Sequence, residues 1–233
     1  MIRVIISNDL KHITIKGHAG YDEYGRDIVC ASVSSIVYTT INGTEYVGGI
    51  VGENGGDIVE SSSLKSDVTG TTYVGGIVGV NYDGSIVNTC CSSNTVIGES
   101  VVGGVVGENQ ANISSTFNSG NVTATDGYAG GIAGRVTSCT ISDCYNTGDI
   151  SGSSKICGIA GQLRRQATIT NTYSIGNITG DSDANAILGD LSNGTVTNSY
   201  YDRNKVFDAD GNKVTDQWAT GLRTTQMTGE DSL

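Results

Sequence analysis

The chain has 233 residues, a formal net charge of −11, 34 glycines and no proline. The 13 lysines and arginines are thinly spread, which excludes a basic stripe that would neutralise a nucleic-acid backbone. Glycine combined with serine, threonine, asparagine, isoleucine and valine favours short strands joined by tight turns, and this composition disfavours a helical bundle.

The first residues alternate between apolar and polar side chains at 1–7 and 12–17. This period of two predicts a β-hairpin that turns at Asn8 to Lys11. Charged residues interrupt the apolar ones, so neither a signal peptide nor a membrane span is predicted. The chain as written is therefore expected in the cytoplasm, and a cell-surface location is the alternative if the true N-terminus is missing.

A helix is predicted after a glycine-bearing loop. Apolar residues recur at helical spacing from Ile28 to Asn42, and Gly43 supplies a stop. Residues 1–43 are therefore expected to form a small β-β-α unit that differs from the rest of the chain.

The loop and the start of this helix read GHAGYDEYGRDIVCASVSSIV at residues 17–37. This stretch resembles the signature of the Prp family, cysteine proteases that trim the N-terminal extension of a large-subunit ribosomal protein in some bacteria. The resemblance implies that His18 is the catalytic histidine, that Cys30 is the nucleophile and that Asp27 is a further site residue. The implied partner is a ribosomal protein precursor.

The residue types suit this chemistry without the family name. Cys30 falls in the first turn of the predicted helix, where the helix dipole and exposed N–H groups favour the thiolate. His18 is placed to take the thiol proton and to protonate the leaving amine. Asp27 would cap the helix or orient the imidazole of His18.

The segment is short for a protease domain. The resemblance implies a domain of about twice this length, whereas the first repeat begins at Thr44, and about 40 residues rarely bury a sufficient core. The alternative interpretation is a plug over the open end of the repeats. In that case Cys30 is a small buried residue and His18 a loop residue.

Residues 44–201 repeat two phrases in a constant order. A phrase such as YVGGIVGEN at residue 46 recurs every 27 or 28 residues, and its second glycine falls at five positions. These positions are Gly49, Gly76, Gly104, Gly131 and Gly158. Each repeat offers about three strand-like runs and cannot close a core alone, so the repeats must stack into a parallel all-β solenoid of about six coils. A β-propeller is the alternative, but its blades need about 40 or more residues.

The repeat register predicts inward ladders of aliphatic residues and corner rows of asparagine. One ladder is Ile50, Ile77, Val105, Ile132 and Ile159, and the other is Ile58, Ile86, Ile113, Ile141, Ile169 and Val196. The asparagine rows are Asn54, Asn81 and Asn109, and Asn88, Asn171 and Asn198.

The repeated phrases resemble the GLUG motif of bacterial surface and secreted proteins, including adhesin-like proteins. This resemblance implies a stalk or scaffold and brings no catalytic residues. The implied partner is an unknown protein or a glycan surface.

Residues 202–233 are predicted to form a hairpin and tail. Asp208, Asp210 and Asn212 have calcium-loop spacing, but Gly211 stands at the fourth place of the loop, too early for an EF-hand, so a turn between Val206 and Val214 is predicted. No cofactor and no metal are expected. The cysteines are expected to be free thiols, because the register separates Cys90 from Cys144 by two coils.

Two hypotheses from different classes follow. The first is a Prp-like thiol protease with His18 as base and Cys30 as nucleophile. The second is a non-enzymatic GLUG solenoid that acts as a scaffold or adhesin-like surface protein.

Overall fold

The computed structural model describes residues 3–6, 13–16, 40–59, 67–87, 91–92, 95–180 and 183–228. These residues form 32 short strands and one helical turn at Thr224–Thr228. The predicted all-β solenoid is confirmed, since five parallel sheets of five to seven strands run along the repeats. The predicted N-terminal hairpin is also confirmed, because Arg3–Ile6 pairs antiparallel with Ile13–Lys16.

Each full turn of the chain, called a coil below, contributes one strand to each of five sheets. Residues 26 to 28 apart therefore become lateral neighbours, except in the last side 5 pair, where Tyr200 pairs with Thr220. The strands are two to five residues long, which is why the sequence shows about three alternating runs where the structure has five sides. The sides are numbered in chain order.

Side 1 consists of Thr40–Asn42, Asp67–Thr69, Val96–Gly98, Val122–Ala124, Ile150–Gly152, Ile178–Thr179 and Val206–Phe207. Side 2 consists of Glu45–Gly48, Thr72–Gly75, Val101–Gly103, Tyr128–Gly130 and Ile156–Cys157. Side 3 consists of Val51–Asn54, Val78–Asn81, Val106–Asn109, Ala133–Thr137, Ala160–Arg164 and Leu188–Leu191. Side 4 consists of Ile58–Val59, Ile86–Val87, Ile113–Ser114, Thr140–Ser142, Ala167–Thr170 and Gly194–Thr197. Side 5 consists of Cys91–Ser92, Phe117–Asn118, Tyr145–Asn146, Tyr173–Ser174, Tyr200–Asp202 and Thr220–Leu222.

The core is a set of aliphatic ladders that run along the solenoid axis. The predicted side 4 ladder is confirmed by direct pairing from Ile58 through to Val196. In the other predicted ladder, the four later members are fully buried. Ile50, however, is 41% exposed, so its predicted place inside is wrong.

Glycines allow sides 2 and 3 to pack backbone against backbone. A Cβ atom at Gly103 would overlap the carbonyl oxygen of Val106, and one at Gly107 would lie 2.6 Å from the carbonyl carbon of Tyr73. A Cβ at Gly131 would overlap the amide group of Asn146. Each glycine of the repeated phrase therefore removes a different steric conflict.

The predicted asparagine rows are confirmed where the structure describes them. Asn54 Nδ2 donates to Asn81 Oδ1 at 2.7 Å, and Asn81 Nδ2 donates to Asn109 Oδ1 at 2.8 Å. Asn198 donates to Asn171 at 3.3 Å, whereas Asn88 lies outside the described residues. Because the first row is buried, these bonds satisfy amides that would otherwise be costly inside the core.

The predicted end of the N-terminal helix is wrong. Thr40–Asn42 is a strand of side 1, in which Ile41 pairs with Val68. Ile41 packs against the aliphatic core, so lateral pairing prevails over the helical spacing at this point. Residues 28–39 of the predicted helix lie outside the described part of the chain.

The parallel pairing continues past residue 201, as far as Thr220–Leu222 on side 5. The predicted turn between Val206 and Val214 is confirmed, since Val214 N donates to Val206 O at 3.1 Å. Within the turn, Asp208 Oδ1 accepts a bond from Asn212 N at 2.7 Å. The Asp208 carboxylate therefore closes the turn.

Asp216 ends one of the hydrogen-bond ladders. In preceding coils this ladder runs from Ile132 N to Ile159 O and from Ile159 N to Ile187 O. Ile187 N instead donates to Asp216 Oδ2 at 2.7 Å, while Asp216 Oδ1 accepts from Trp218 N at 2.6 Å. Burial raises the pKa of Asp216, and the N–H groups that face the carboxylate lower it in part. The carboxylate thus replaces the carbonyl of a further coil.

We expect Gly103→Ala to destabilise the solenoid by about 2 kcal/mol or more, because the added methyl group has to separate two packed backbones. Urea unfolding followed by circular dichroism measures this change. Gly55→Ala is the matched control, since a Cβ at Gly55 meets nothing within 4 Å. Equal stabilities for the two variants would contradict the packing explanation.

We expect Asp216→Asn to lower the free energy of unfolding by about 1–3 kcal/mol. Both carboxylate oxygens accept an N–H bond, so an amide NH₂ would face a donor in either orientation. Asp210→Asn makes the same chemical change at an exposed position and should be neutral. Urea unfolding of both variants checks the prediction, which fails if Asp216→Asn is as stable as the native chain.

Candidate functional site

The three residues predicted to carry protease chemistry, His18, Asp27 and Cys30, lie outside the described residues. Their mutual geometry therefore stays a prediction. The candidate site that the structure does describe lies on the outer surface of the solenoid, at the corner between sides 4 and 5.

Aromatic side chains form a row on the outer face of side 5. Phe117, Tyr145, Tyr173 and Tyr200 occupy the same position in four successive coils. The rings of Phe117 and Tyr145 stack with centroids 4.8 Å apart, and those of Tyr145 and Tyr173 stack at 4.9 Å. These distances match the separation of adjacent strands, so coil stacking itself places the rings face to face.

A polar row runs beside the aromatic row, two residues earlier in each coil. Its members share a left-handed backbone conformation with φ between 46° and 54°. They are Ser115, Asp143, Asn171 and Asn198. Asparagine and aspartate tolerate this conformation better than most residues, which suits them to the corner. Asn171 Nδ2 donates to Asp143 Oδ1 at 3.1 Å, so these side chains are linked along the axis.

A cavity of about 520 Å³ opens between the two rows near the C-terminal coils. It is lined by Asn171, Thr172, Tyr173, Asn198 and Tyr200, and is called the corner groove below. Tyr173 is 38% exposed and Tyr200 41% exposed. The buried Thr172 hydroxyl lies 3.0 Å from that of Ser199 and forms the floor of the groove.

The Tyr173 hydroxyl stays protonated at neutral pH. Partial burial raises its pKa, and the neighbouring Tyr145 adds to the shift. The groove therefore presents phenol O–H groups along one wall and carboxamide groups along the other, all of which are uncharged.

A second cluster on the outer surface leaves no open groove, because the Arg135 side chain lies between two tyrosine rings. The Arg135 guanidinium lies 5.9 Å from the Tyr73 ring centroid and 5.6 Å from that of Tyr128. It also pairs with Glu108 at 3.1 Å. The coil between those of Tyr73 and Tyr128 has Val101 at the same position. Because valine is smaller than tyrosine, it leaves a space between the two rings, and Arg135 occupies that space. This cluster is a closed structural network.

The repeat cysteines have the properties of core residues. Cys139, Cys144 and Cys157 are buried and free, which confirms the predicted free thiols for these three. Burial raises the pKa of Cys139 to about 11 and that of Cys144 to about 12, and it also raises the pKa of Cys157. None of the three is activated as a nucleophile.

In the described ranges, no group of three or more histidine, cysteine, aspartate or glutamate side chains is arranged to hold a metal ion. No helix in the same ranges is long and apolar enough to cross a membrane.

Comparison with known families supports both resemblances. The family model for cysteine protease Prp matches residues 1–83, and the model for the GLUG motif matches residues 125–151. No curated protein and no solved structure matches the chain. The chain is thus similar to cysteine protease Prp over residues 1–83 and to the GLUG motif within its repeats.

The two matches relate differently to the fold. Residues 125–151 make almost one full coil, from the end of one side 1 strand to the next side 1 strand. The Prp match extends beyond the N-terminal unit and includes solenoid strands such as Thr40–Asn42, Glu45–Gly48 and Val51–Asn54. The same residues are therefore matched by a protease family and paired in a solenoid.

Sequence reasoning missed the corner groove. The signal was present, because an aromatic residue recurs in TFNSGN, CYNTGD, TYSIGN and NSYY of the second repeated phrase. The sequence does not show that the residue two places before each aromatic residue adopts a left-handed backbone conformation. Nor does it show that Asn171 and Asn198 line the same groove as Tyr173 and Tyr200.

We expect iodoacetamide at pH 7 to label Cys139, Cys144 and Cys157 at least about a hundredfold more slowly in the native chain than in urea, because so little thiolate is present. Peptide mapping by mass spectrometry gives the rate for each cysteine. Labelling of Cys139, Cys144 or Cys157 at the unfolded rate under native conditions would contradict this expectation.

Proposed function

We propose that the chain acts as a binding scaffold, in which a rigid solenoid displays rows of side chains to an extended ligand. The supporting observation is the parallel pairing that runs from Thr40 to Leu222. It brings the same repeat position to the same outer face in successive coils. A surface of this kind is formed before the ligand arrives, so little ordering entropy opposes binding.

The charge of the chain and the chemistry of its outer rows favour a neutral polar ligand. The net charge of −11 disfavours nucleic acid and other polyanions. Along sides 4 and 5 the outer rows consist largely of hydroxyl, carboxamide and aromatic groups, which suit a neutral polar partner.

A second candidate function is a thiol peptidase in the N-terminal segment, supported by the Prp family match over residues 1–83. In this proposal the Cys30 thiolate attacks the scissile carbonyl carbon, and His18 takes the thiol proton and gives it to the leaving amine. Water then hydrolyses the thioester and regenerates the thiol. Asp27 orients the imidazole, and the substrate is the N-terminal extension of a ribosomal protein precursor.

The scaffold is the first proposal because the solenoid uses residues that the peptidase family match also includes. Thr40–Asn42 pairs with Asp67–Thr69, and Glu45–Gly48 pairs with Thr72–Gly75. A peptidase built from residues 1–83 would have to share these strands with the solenoid. A scaffold function uses these strands only as parts of the solenoid.

One experiment separates the two functions. The full chain is incubated with a peptide that spans the cleavage site of a ribosomal protein extension, and products are followed by mass spectrometry. The scaffold predicts no cleavage by the native chain, by Cys30→Ala or by Cys144→Ala. Cleavage that is lost in Cys30→Ala and retained in Cys144→Ala would establish the peptidase instead.

The scaffold also predicts saturable binding. Fluorescently labelled native chain should bind at least one ligand on arrays of immobilised oligosaccharides, proteins and peptides. The Cys30→Ala variant should bind it with unchanged affinity. Absence of saturable binding across the arrays would contradict the scaffold.

A further inference from the structure

We propose that the corner groove binds a neutral, unbranched oligosaccharide that lies along the solenoid axis. This inference rests on the proposed scaffold function and names its ligand class. Three features of the groove carry it: an aromatic wall, a carboxamide wall and the absence of charge in the lining.

The aromatic wall offers an apolar surface and a row of donors. The parallel stack of rings runs from Phe117 through Tyr145 to Tyr173, and the cavity opens beyond it, between Tyr173 and Tyr200. Within the stack each ring face is covered by the neighbouring ring, so an aromatic face can meet a ligand only in the cavity, between Tyr173 and Tyr200. There the C–H face of a pyranose ring, which carries a slight positive charge, is attracted to the negative face of the aromatic ring. The outward hydroxyls of the tyrosines can both donate to and accept from sugar hydroxyls.

The carboxamide wall supplies directed hydrogen bonds. Asn198 donates to Asn171, which in turn donates to Asp143, so the Asn198 Oδ1 is the last acceptor of this linked row. Asn198 uses one N–H toward Asn171 and keeps a second N–H and its Oδ1, a donor and an acceptor close together, which matches adjacent hydroxyls on one sugar ring. The left-handed backbone at Asn171 and Asn198 holds both side chains at the groove edge.

Charge selects a neutral ligand over a charged one. The five lining residues are uncharged, and the nearest member of the polar row beyond them, Asp143, is acidic. A phosphate, sulfate or uronate group would therefore find no cation and would be repelled by the net charge of −11. A neutral sugar chain keeps its hydrogen bonds without this penalty.

Repetition selects a linear chain over a single sugar. The aromatic and polar rows persist through four coils, which at about 4.8 Å a coil gives a track on the order of 14 Å long. A peptide strand would instead need free backbone groups, which are engaged in ladders between the coils here.

Isothermal titration calorimetry of the full chain tests the proposal with four probes: cellohexaose, maltohexaose, mannohexaose and the anionic hexagalacturonate. At least one neutral probe should bind with a millimolar or tighter dissociation constant that is insensitive to salt. The double variant Tyr173→Ala/Tyr200→Ala should weaken this binding at least about tenfold. Asn198→Gly, which keeps the left-handed backbone but removes the carboxamide, should weaken it at least about threefold.

Tyr82→Ala is the matched control, because Tyr82 is 47% exposed and lies outside the groove lining. It should bind like the native chain, and unfolding midpoints should show that all variants are folded. The proposal is overturned if no neutral probe binds, if only hexagalacturonate binds, or if Tyr82→Ala weakens binding as much as the groove variants do.

The two proposals fail in different ways. If the array ligand is a protein or peptide and the groove variants bind it normally, the scaffold stands and the oligosaccharide site is wrong. If the chain binds neither an oligosaccharide nor any array ligand, both proposals fail.

Discussion

Backbone contact between sides 2 and 3, made possible by glycine, is the constraint on which the rest of the structure depends. Gly103 and Gly107 leave no space for a side chain between the two sheets, so the coil is folded tightly at this edge. Successive coils span 26 to 28 residues as far as the last side 5 pair, where Tyr200 pairs with Thr220. Equivalent residues then stack in register, and both the aliphatic core and the asparagine rows follow from this register.

The same register governs the outer surface, where no core requirement applies. Stacked tyrosines on side 5 and left-handed asparagines at the neighbouring corner repeat because the coil repeats. Such a groove depends on few kinds of residue, because the same repeat position recurs at the same place in each coil. Binding strength can therefore be built from several modest contacts, although each additional contact still has to exceed the cost of ordering the ligand.

Structural features that repeat at the coil period could be predicted from the sequence, whereas features that occur once could not. The solenoid, the side 4 ladder and the row Asn54, Asn81 and Asn109 could be predicted, because recurrence at one period implies stacking. The exposure of Ile50 and the cap made by Asp216 could not, because each depends on which coil lies next to it. The strand at Thr40–Asn42 was missed because its helical spacing is a local signal, whereas its partner Asp67–Thr69 is distant in sequence.

The paired strand at Thr40 also limits how a thiol protease could be attached to this fold. A helix that begins near Ile28 has to end before Thr40, so it spans at most about 12 residues, or roughly 18 Å. Cys30, the nucleophile of the peptidase proposal, would then lie about three turns from the first coil. The plug and protease interpretations therefore both place this segment next to the first coil, where Ile50 is exposed.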